Sequence, residues 1–292
     1  MKVLITGASG QVGAALQATA PAGSELHALT HRELDVADSA AVCDVVSNSR
    51  PDLIINAAAY TAVDKAEAEP ELAFAINGKG PNHLAQAARG IPDCRLIHIS
   101  TDYVFDGSSP EPYQTRDTVH PLSVYGRSKR EGEQAVIEVL GARAVVLRTA
   151  WVYAARGKNF LLTMLRLMRE LGAVRVVADQ YGCPTCADSI AEAIWIIARR
   201  TDVHGVLHWT DAGKASWYDF ALAIAEDGQS AGLLQSPVEV TPITTAEYPT
   251  AAYRPANSLL DIRESVATLE LQPMPWRERM RATLASIPLE RA

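Results

Sequence analysis

The sequence is poor in cysteine, in basic charge and in long apolar runs, and each shortage closes off a class of protein. Four cysteines in 292 residues, at Cys43, Cys94, Cys183 and Cys186, are too few and too irregularly spaced for a disulfide framework. Cys183 and Cys186 share the motif GCPTC. No second pair, ligand-spaced histidine or thioredoxin-like context accompanies them, so they read as a loop before a helix and no metal ligand is assigned. With 27 Lys+Arg against 34 Asp+Glu and a net charge of −7, the chain lacks the basic stripe that a nucleic-acid groove needs. No apolar run approaches the roughly 20 residues that cross a bilayer, and the MKVLI start is too short and wrongly flanked for a signal peptide. The expected compartment is the cytoplasm.

At 48% hydrophobic and 21% charged, the chain can bury one large core with a smaller appended lobe. Lys2 to Thr6 reads as a short apolar strand, followed by GASGQVG and a helical stretch from Val12 to Ala20. Gly7, Gly10 and Gly13 have the spacing GxxGxxG, which lets a backbone turn tightly and approach a pyrophosphate at a helix N-terminus. A second strand, Glu25 to Leu29, ends in Thr30, His31 and Arg32. In a dinucleotide fold a carboxylate closing this strand holds the 2'-hydroxyl of NAD, whereas a cation accommodates the 2'-phosphate of NADP. With Thr30 in place of a carboxylate and Arg32 close by, NADPH is the expected cofactor and NADH the alternative. Arg32 as a plain surface charge is the competing reading. Asp35 and Val36 follow where an adenine ring could be bracketed, with Asp35 otherwise a turn residue.

Asp52 to Asn56 is a third buried strand running into AAAYTAVDKAEAEPE, where Ala57, Ala58 and Ala59 leave room for a cofactor and Tyr60 and Thr61 come next. A long helix from Glu71 to Arg89 carries Asn77, facing either solvent or the end of the next strand. The fourth strand, beginning at Arg95, delivers Ser100, Thr101, Asp102 and Tyr103 at its carboxyl end, where open α/β sheets place their ligands. Ser123 can cap a helix carrying Tyr125 and Lys129 on one face, about one turn apart. A fixed cation beside a phenol favours the phenolate, so Tyr125 is a candidate proton donor with Lys129 tuning it. Ala142 to Arg148 forms a fifth strand, leading to Thr149, Ala150 and Trp151.

Strands alternating with helices call for a doubly wound, Rossmann-type parallel sheet. Residues 1–150 are expected to form the dinucleotide-binding domain, with part of about 174–205 returning to it. Residues 151–292 form mainly a smaller substrate-binding lobe. Helices are expected at Asn159–Leu171, Ala187–Arg200, Ser216–Glu226 and Pro275–Ser286, and short strands at Val174–Val177 and Val206–Trp209. The proline-rich stretch Ser236–Pro255 reads as irregular.

GASGQVG, NAAAYTAVDKAEAEPE, STDYVFDG, YGRSK, RTAWVY, DQYGCPT and RPANS resemble, in order and spacing, the motifs of dTDP-4-dehydrorhamnose reductases, a group of extended short-chain dehydrogenases/reductases. The resemblance runs from Met1 to about Trp276. It implies reduction of the 4-keto group of dTDP-4-dehydro-β-L-rhamnose, with Thr101, Tyr125 and Lys129 as the catalytic trio. Asp102 and Trp151 then contact the sugar nucleotide, and Tyr103 and Val104 are grouped with them. Gly10, Gln11, Val12, Asp35, Val36, Ala59, Tyr60 and Thr61 contact the dinucleotide, while Arg254, Asn257 and Ser258 match a C-terminal substrate-lobe motif. Some members form a dimer bridged by a divalent cation such as Mg2+ through glutamates. This chain has Ala15 and Asp188 at those places, which tells against the metal and that mode of dimerisation, so no metal is assigned and a homodimer stands only as the candidate assembly. Competing readings are a sugar-nucleotide epimerase or dehydratase, for which STDYVFDG supplies no second glutamate beside Asp102, and a non-catalytic binding subunit like the regulatory subunit of methionine adenosyltransferase. Intact Thr101, Tyr125 and Lys129 and the absence of an N-terminal extension weigh against the latter.

Overall fold

The fold is described from a computed structural model over residues 1–288. The first half runs β1 (Lys2–Thr6), α1 (Gln11–Ala18), β2 (Glu25–Leu29), α2 (Ser39–Ser49), β3 (Leu53–Asn56), α3 (Val63–Ala68), α4 (Pro70–Phe74), α5 (Gly80–Arg89), β4 (Arg95–Thr101), α6 (Val124–Leu140) and β5 (Ala144–Thr149). The second half runs β6 (Val152–Tyr153), α7 (Phe160–Leu171), β7 (Ala173–Val177), β8 (Tyr181–Gly182), β9 (Thr185–Cys186), α8 (Ala187–Arg199), β10 (Gly205–His208), β11 (Ala215–Ser216), α9 (Trp217–Ser230), β12 (Glu239–Ile243), α10 (Arg263–Leu269) and α11 (Trp276–Ala285).

Six parallel strands form the central sheet in the order β10-β5-β4-β3-β1-β2, the doubly wound arrangement expected from the sequence. The apolar runs are continuous because both faces are covered, and the two-residue side-chain period sorts them. Val3, Ile5, Leu53, Ile55 and Ile97 pack toward α1 and α8, whereas Leu4, Ile54 and Leu96 pack toward α2, α5 and α6. Chain order reverses between β1 and β3, and the carboxyl ends beside that point are where such sheets hold their ligands.

The chain from Ala187 to His208 returns to this sheet: α8 packs in the same cluster as α1 and β5, and β10 pairs with β5. Val174–Val177 does not join it, because β7 pairs in parallel with β12 in a separate ribbon. The stretch Ser236–Pro255 is therefore not wholly irregular. Pro242 lies inside β12, tolerated because the two-stranded ribbon leaves that strand an open edge where a missing N–H costs little. A third core of Leu161, Leu165, Met168, Phe220, Ile224, Met280 and Leu284 joins α7, α9 and α11.

The single helix expected over Glu71–Arg89 is interrupted. Ala75–Lys79 forms a π-helical turn between α4 and α5, the wider winding that often marks a functional site.

Candidate active site

The glycine loop is shaped by close approach. Gly7 has φ of +71°, and a Cβ there would stand 2.6 Å from the backbone of Ala57 and Ala58; one at Gly13 would stand 2.2 Å from the Gly7 carbonyl oxygen. Gly7 thus lets the loop press against the segment that follows β3, Gly13 lets α1 press against the loop, and neither lines the cleft. Gly10 is the N-cap of α1 and no side chain caps it, which leaves the first N–H groups free for an anion. This cradle fits a dinucleotide pyrophosphate.

Above it lies a cleft of about 510 Å³ lined by Gly10, Gln11, Val12, Ala57, Ala58, Ala59, Thr61, Thr101, Asp102, Tyr103, Tyr125, Lys129 and Trp151, together with Gly157, Lys158 and Trp217. The glycine loop, the ends of β3, β4 and β5 and the start of α6 therefore converge. The loop after β6 is tied in by Asn159, whose amide donates to Gln11 Oε1 at 2.8 Å.

Two caps fix the start of α6. Ser123 accepts from the Gly126 N–H at 3.1 Å, and Glu67, unforeseen from sequence, accepts from the Val124 N–H at 2.8 Å. Tyr125 is half-buried, its ring meeting the edge of Tyr103 at 5.6 Å. The protein packed around it pushes its phenol up to about 12, with Asp102 adding to the rise and Thr101 opposing it. The expectation that Lys129 lowers the Tyr125 pKa is not met, because Lys129 Nζ turns to the Ile99 carbonyl oxygen at 2.6 Å. Burial brings Lys129 down to about 8, with Glu133 pulling it back up.

Glu133 is fully buried and accepts from Arg148 Nε and Nη2, each at 2.8 Å, and from Arg130 at 2.9 Å. The Arg148 guanidinium also lies over the Phe105 ring, 5.1 Å from its centre. One carboxylate thus joins α6 to β5 directly behind the catalytic face. The sequence signal was Lys-x-x-x-Glu from Lys129, one helical turn.

Asp102 is buried. Its Oδ1 accepts from the Thr101 hydroxyl at 2.9 Å, its Oδ2 has no partner, and burial raises its carboxyl to about 6. Asn77, on the π turn, faces inward: its Oδ1 accepts from the Tyr60 N–H at 2.8 Å and its Nδ2 donates to the Tyr60 carbonyl and to Ser128. Tyr60 is held there and does not line the cleft, and its hydroxyl donates to Glu69.

Other expected residues stand elsewhere. Val104 is buried in the core with Phe105, Tyr113 and Leu260 and does not line the cleft. Val36 is buried against α5, so close that a Cβ at Gly80 would meet it at 2.8 Å, and exposed Asp35 caps the following turn through the Ala37 N–H. Arg32 is exposed. A carboxylate does reach Thr30, because the turn brings back Glu33, which accepts from the Thr30 N–H and hydroxyl, each at 2.8 Å; these bonds hold its carboxyl below its ordinary range.

Arg254 is paired with Asp64 at 2.7 and 3.1 Å, Asn257 donates to the Ser109 and Glu111 carbonyls, and Ser258 donates to that of Tyr181. Of the three, Arg254 borders a ligand-sized space. It lines a second cavity, of about 730 Å³, with Asp64, Phe160, Met164, Leu167, Val176, Gln180, Trp217 and Tyr248. Trp217 lines both cavities.

Among the described residues no group of three or more His, Cys, Asp and Glu stands together to hold a metal, and no helix is long and apolar enough to cross a membrane. Ala15 is buried beneath α8 and Asp188 is exposed on its first turn. Cys183 and Cys186 are buried free thiols. Cys183 Sγ donates to the Asp211 carbonyl at 3.0 Å, and burial raises both pKa values.

A Rossmann-type sheet with a glycine cradle and a tyrosine–lysine helix at its carboxyl edge defines a nicotinamide-dependent oxidoreductase. A family model described as the RmlD substrate binding domain matches residues 1–288. The dTDP-4-dehydrorhamnose reductase of Sinorhizobium fredii is 42% identical over 296 residues, 99% of each chain. The crystal structure of a dTDP-4-dehydrorhamnose reductase from Clostridium acetobutylicum aligns with a TM-score of 0.91 at 37% identity, over 97% of this chain and 98% of that one. One from Bacillus anthracis, in complex with NADP, aligns at 0.90 and 36% over the same shares. The chain belongs to the dTDP-4-dehydrorhamnose reductase family of extended short-chain dehydrogenases/reductases.

Proposed function

We propose that the chain reduces the 4-keto group of dTDP-4-dehydro-β-L-rhamnose to give dTDP-L-rhamnose, with NADPH as the preferred reductant and NADH as the alternative. The observation that carries this reading is the convergence of Thr101, Tyr125 and Lys129 on a cleft floored by the glycine cradle. In that cleft the bound cofactor supplies a hydride to the carbonyl carbon. Gly10, Gln11, Val12, Ala57, Ala58, Ala59 and Thr61, which line the cleft, would hold it, and Thr30 and Arg32 would read its adenosine ribose.

Tyr125, a phenol protonated at neutral pH and made harder to ionise by burial, gives its proton to the carbonyl oxygen as negative charge develops there. The Thr101 hydroxyl, which donates to Asp102 Oδ1 in the free protein, would turn its one proton to that oxygen, an interaction that strengthens as the charge grows. The resulting phenolate regains its proton from solvent, and Lys129, which lines the same cleft, would hold the nicotinamide ribose. Asp102 and Trp151 border the sugar. The apolar cavity beyond Trp217 suits the nucleoside, with Arg254 near the diphosphate. On this reading residues 1–150 with the returning α8 and β10 bind the cofactor, and most of the remainder forms the substrate lobe. A cytoplasmic homodimer completes the proposal, since four free thiols fit a reducing compartment.

The test is oxidation of NADPH on a panel of nucleotide 4-keto sugars with product identification. Turnover of the dTDP-keto sugar to dTDP-L-rhamnose is expected. Tight NADPH binding without oxidation would favour a non-catalytic binding subunit instead.

A further inference from the structure

We propose that Asp102 is a positioning residue for the reduction: it takes up a proton when the keto sugar binds and so turns the Thr101 hydroxyl from the Asp102 carboxylate to the carbonyl oxygen of the sugar. This role rests on the substrate reading above and adds to it a residue, a proton and a difference between ketone and alcohol.

A threonine hydroxyl has one proton to give and two lone pairs to offer. In the free protein the Tyr103 N–H donates to Thr101 Oγ1 at 3.2 Å, and the hydroxyl gives its proton to Asp102 Oδ1 at 2.9 Å. What remains is one lone pair, which accepts and cannot donate. A ketone oxygen also only accepts, so no proton lies between the two. Thr101 therefore serves the ketone only by turning its proton away from Asp102.

That turn leaves Thr101 Oγ1 and Asp102 Oδ1 as two acceptors 2.9 Å apart. In a site closed to water such a pair is repulsive, and the carboxylate loses the bond that held its charge. A proton on Oδ1 removes the conflict: Asp102 donates to Thr101, and Thr101 donates to the carbonyl. The proton comes from solvent as the sugar binds and stays on Asp102 while hydride is transferred.

The surroundings favour this uptake. Asp102 is 2% exposed, its Oδ2 has no hydrogen-bond partner, and burial raises its carboxyl to about 6 even while Thr101 donates to it. Losing that donation raises it further, since the bond favours the charged form. The groups facing it bring no compensating cation. The Tyr103 phenol beside it and the Tyr125 phenol on α6 are both made harder to ionise by its charge. From the C-terminal segment Ser258 opposes the rise in Asp102, but its own proton goes to the Tyr181 carbonyl. Lys129 turns to the Ile99 carbonyl, and Arg254 is paired with Asp64.

The alcohol product differs in one respect. Its C4 hydroxyl can donate to the remaining lone pair of Thr101, which then keeps its bond to Asp102, and no proton is needed. Both sugars cover the carboxyl alike, so a difference in proton uptake between them reports the direction of the Thr101 bond.

The experiment is calorimetric titration at pH 7.5, in buffers of different ionisation enthalpy, of wild type and Asp102→Asn. Each sugar meets the cofactor form that cannot react with it: dTDP-4-dehydro-β-L-rhamnose with NADP, and dTDP-L-rhamnose with NADPH. Wild type is expected to take up about one proton with the ketone and close to none with the alcohol. Its ketone affinity should fall about tenfold per pH unit from about pH 6 to about pH 8, while its alcohol affinity stays level. Asp102→Asn, whose carboxamide can donate to Thr101 at any pH, should show no uptake with either sugar and a level ketone affinity. The comparison of the two sugars needs only the wild type, so it decides the matter whatever the stability of the variant. Equal uptake with both sugars would reduce the effect to burial of a carboxyl, and no uptake with the ketone, or uptake that survives in Asp102→Asn, would place the proton elsewhere; each outcome overturns the proposal while reduction of the ketone by NADPH leaves the substrate reading standing. Wild type that neither binds the ketone nor reduces it would overturn that reading and this inference together.

Discussion

The two ends of the cofactor cleft are built by different means. At the nicotinamide end every chemical group is braced from behind: Tyr125 by a twice-capped helix, Lys129 by the Ile99 carbonyl, and both by a helix that Glu133 ties to Arg148 on β5. At the adenosine end Arg32 and Glu33 are exposed on a tight turn and compete for one place with opposite charges. On the proposed reading, hydride transfer depends on pre-organised geometry, whereas the choice between NADPH and NADH would rest on two solvated side chains that substitution can retune.

The largest effect should come from the braced end. Tyr125→Phe keeps the ring and its packing but removes the proton, and steady-state assays should record a kcat lower by about 10²- to 10⁴-fold. NADPH affinity measured by fluorescence should change less than about twofold, since only the reaction loses a contact. Retention of full kcat would remove Tyr125 from the mechanism.

Glu133→Gln tests the brace itself. Breaking one side of a buried ion pair costs about 3–5 kcal/mol, to be read from the urea midpoint. A second consequence is specific to Lys129. Glu133 favours its ammonium form, so without that carboxylate the Lys129 pKa falls further below about 8, and the protonated form is lost at lower pH. The alkaline limb of kcat/KM should therefore move to lower pH. The groups facing Lys129 that remain in this variant, Tyr125 on α6 and buried His98 on β4, keep their places. A limb that stays put while stability falls would make Glu133 structural only.

The adenosine end should respond least. Arg32→Ala is expected to raise the KM for NADPH about tenfold and leave that for NADH unchanged, as for loss of one charge-assisted contact to a phosphate. Glu33→Gln should act in the opposite direction and more weakly, lowering the KM for NADPH about two- to threefold, because an exposed charge is screened. Equal changes for both cofactors would show that neither side chain reads the 2'-position.

Much of this was legible from the chain. β1 and β2 fall on the predicted residues, because short apolar runs bounded by a glycine loop and a polar turn leave little choice of register. The cleft-lining segments at Ala57–Ala59 and Thr101–Tyr103 were found for the same reason: they follow buried strands. What escaped lay in partnerships remote in sequence. Glu67 caps a helix 57 residues away, Asp64 engages Arg254 across 190 residues, and Glu133 reads as an ordinary solvated helix charge until β5 brings Arg148 against it. Trp217 gave one local signal, a large aromatic directly after a Ser-x-x-Asp cap. Its meaning depends on Trp151, which only the fold places opposite. β12 was masked by its own proline.

The wide turn at Ala75–Lys79 sets the length of this part of the chain as firmly as its composition. A π turn spends about one residue more than an α turn on the same rotation, so removing one residue would let ordinary winding join α4 to α5 with their faces still in phase, and what would be lost is the widened turn itself. Asn77 would swing away from Tyr60 and Ser128, and the backbone leading from β3 to the cleft would lose the amide that holds Tyr60. Relatives that vary freely in sequence across this stretch are thus expected to keep the same number of residues in it.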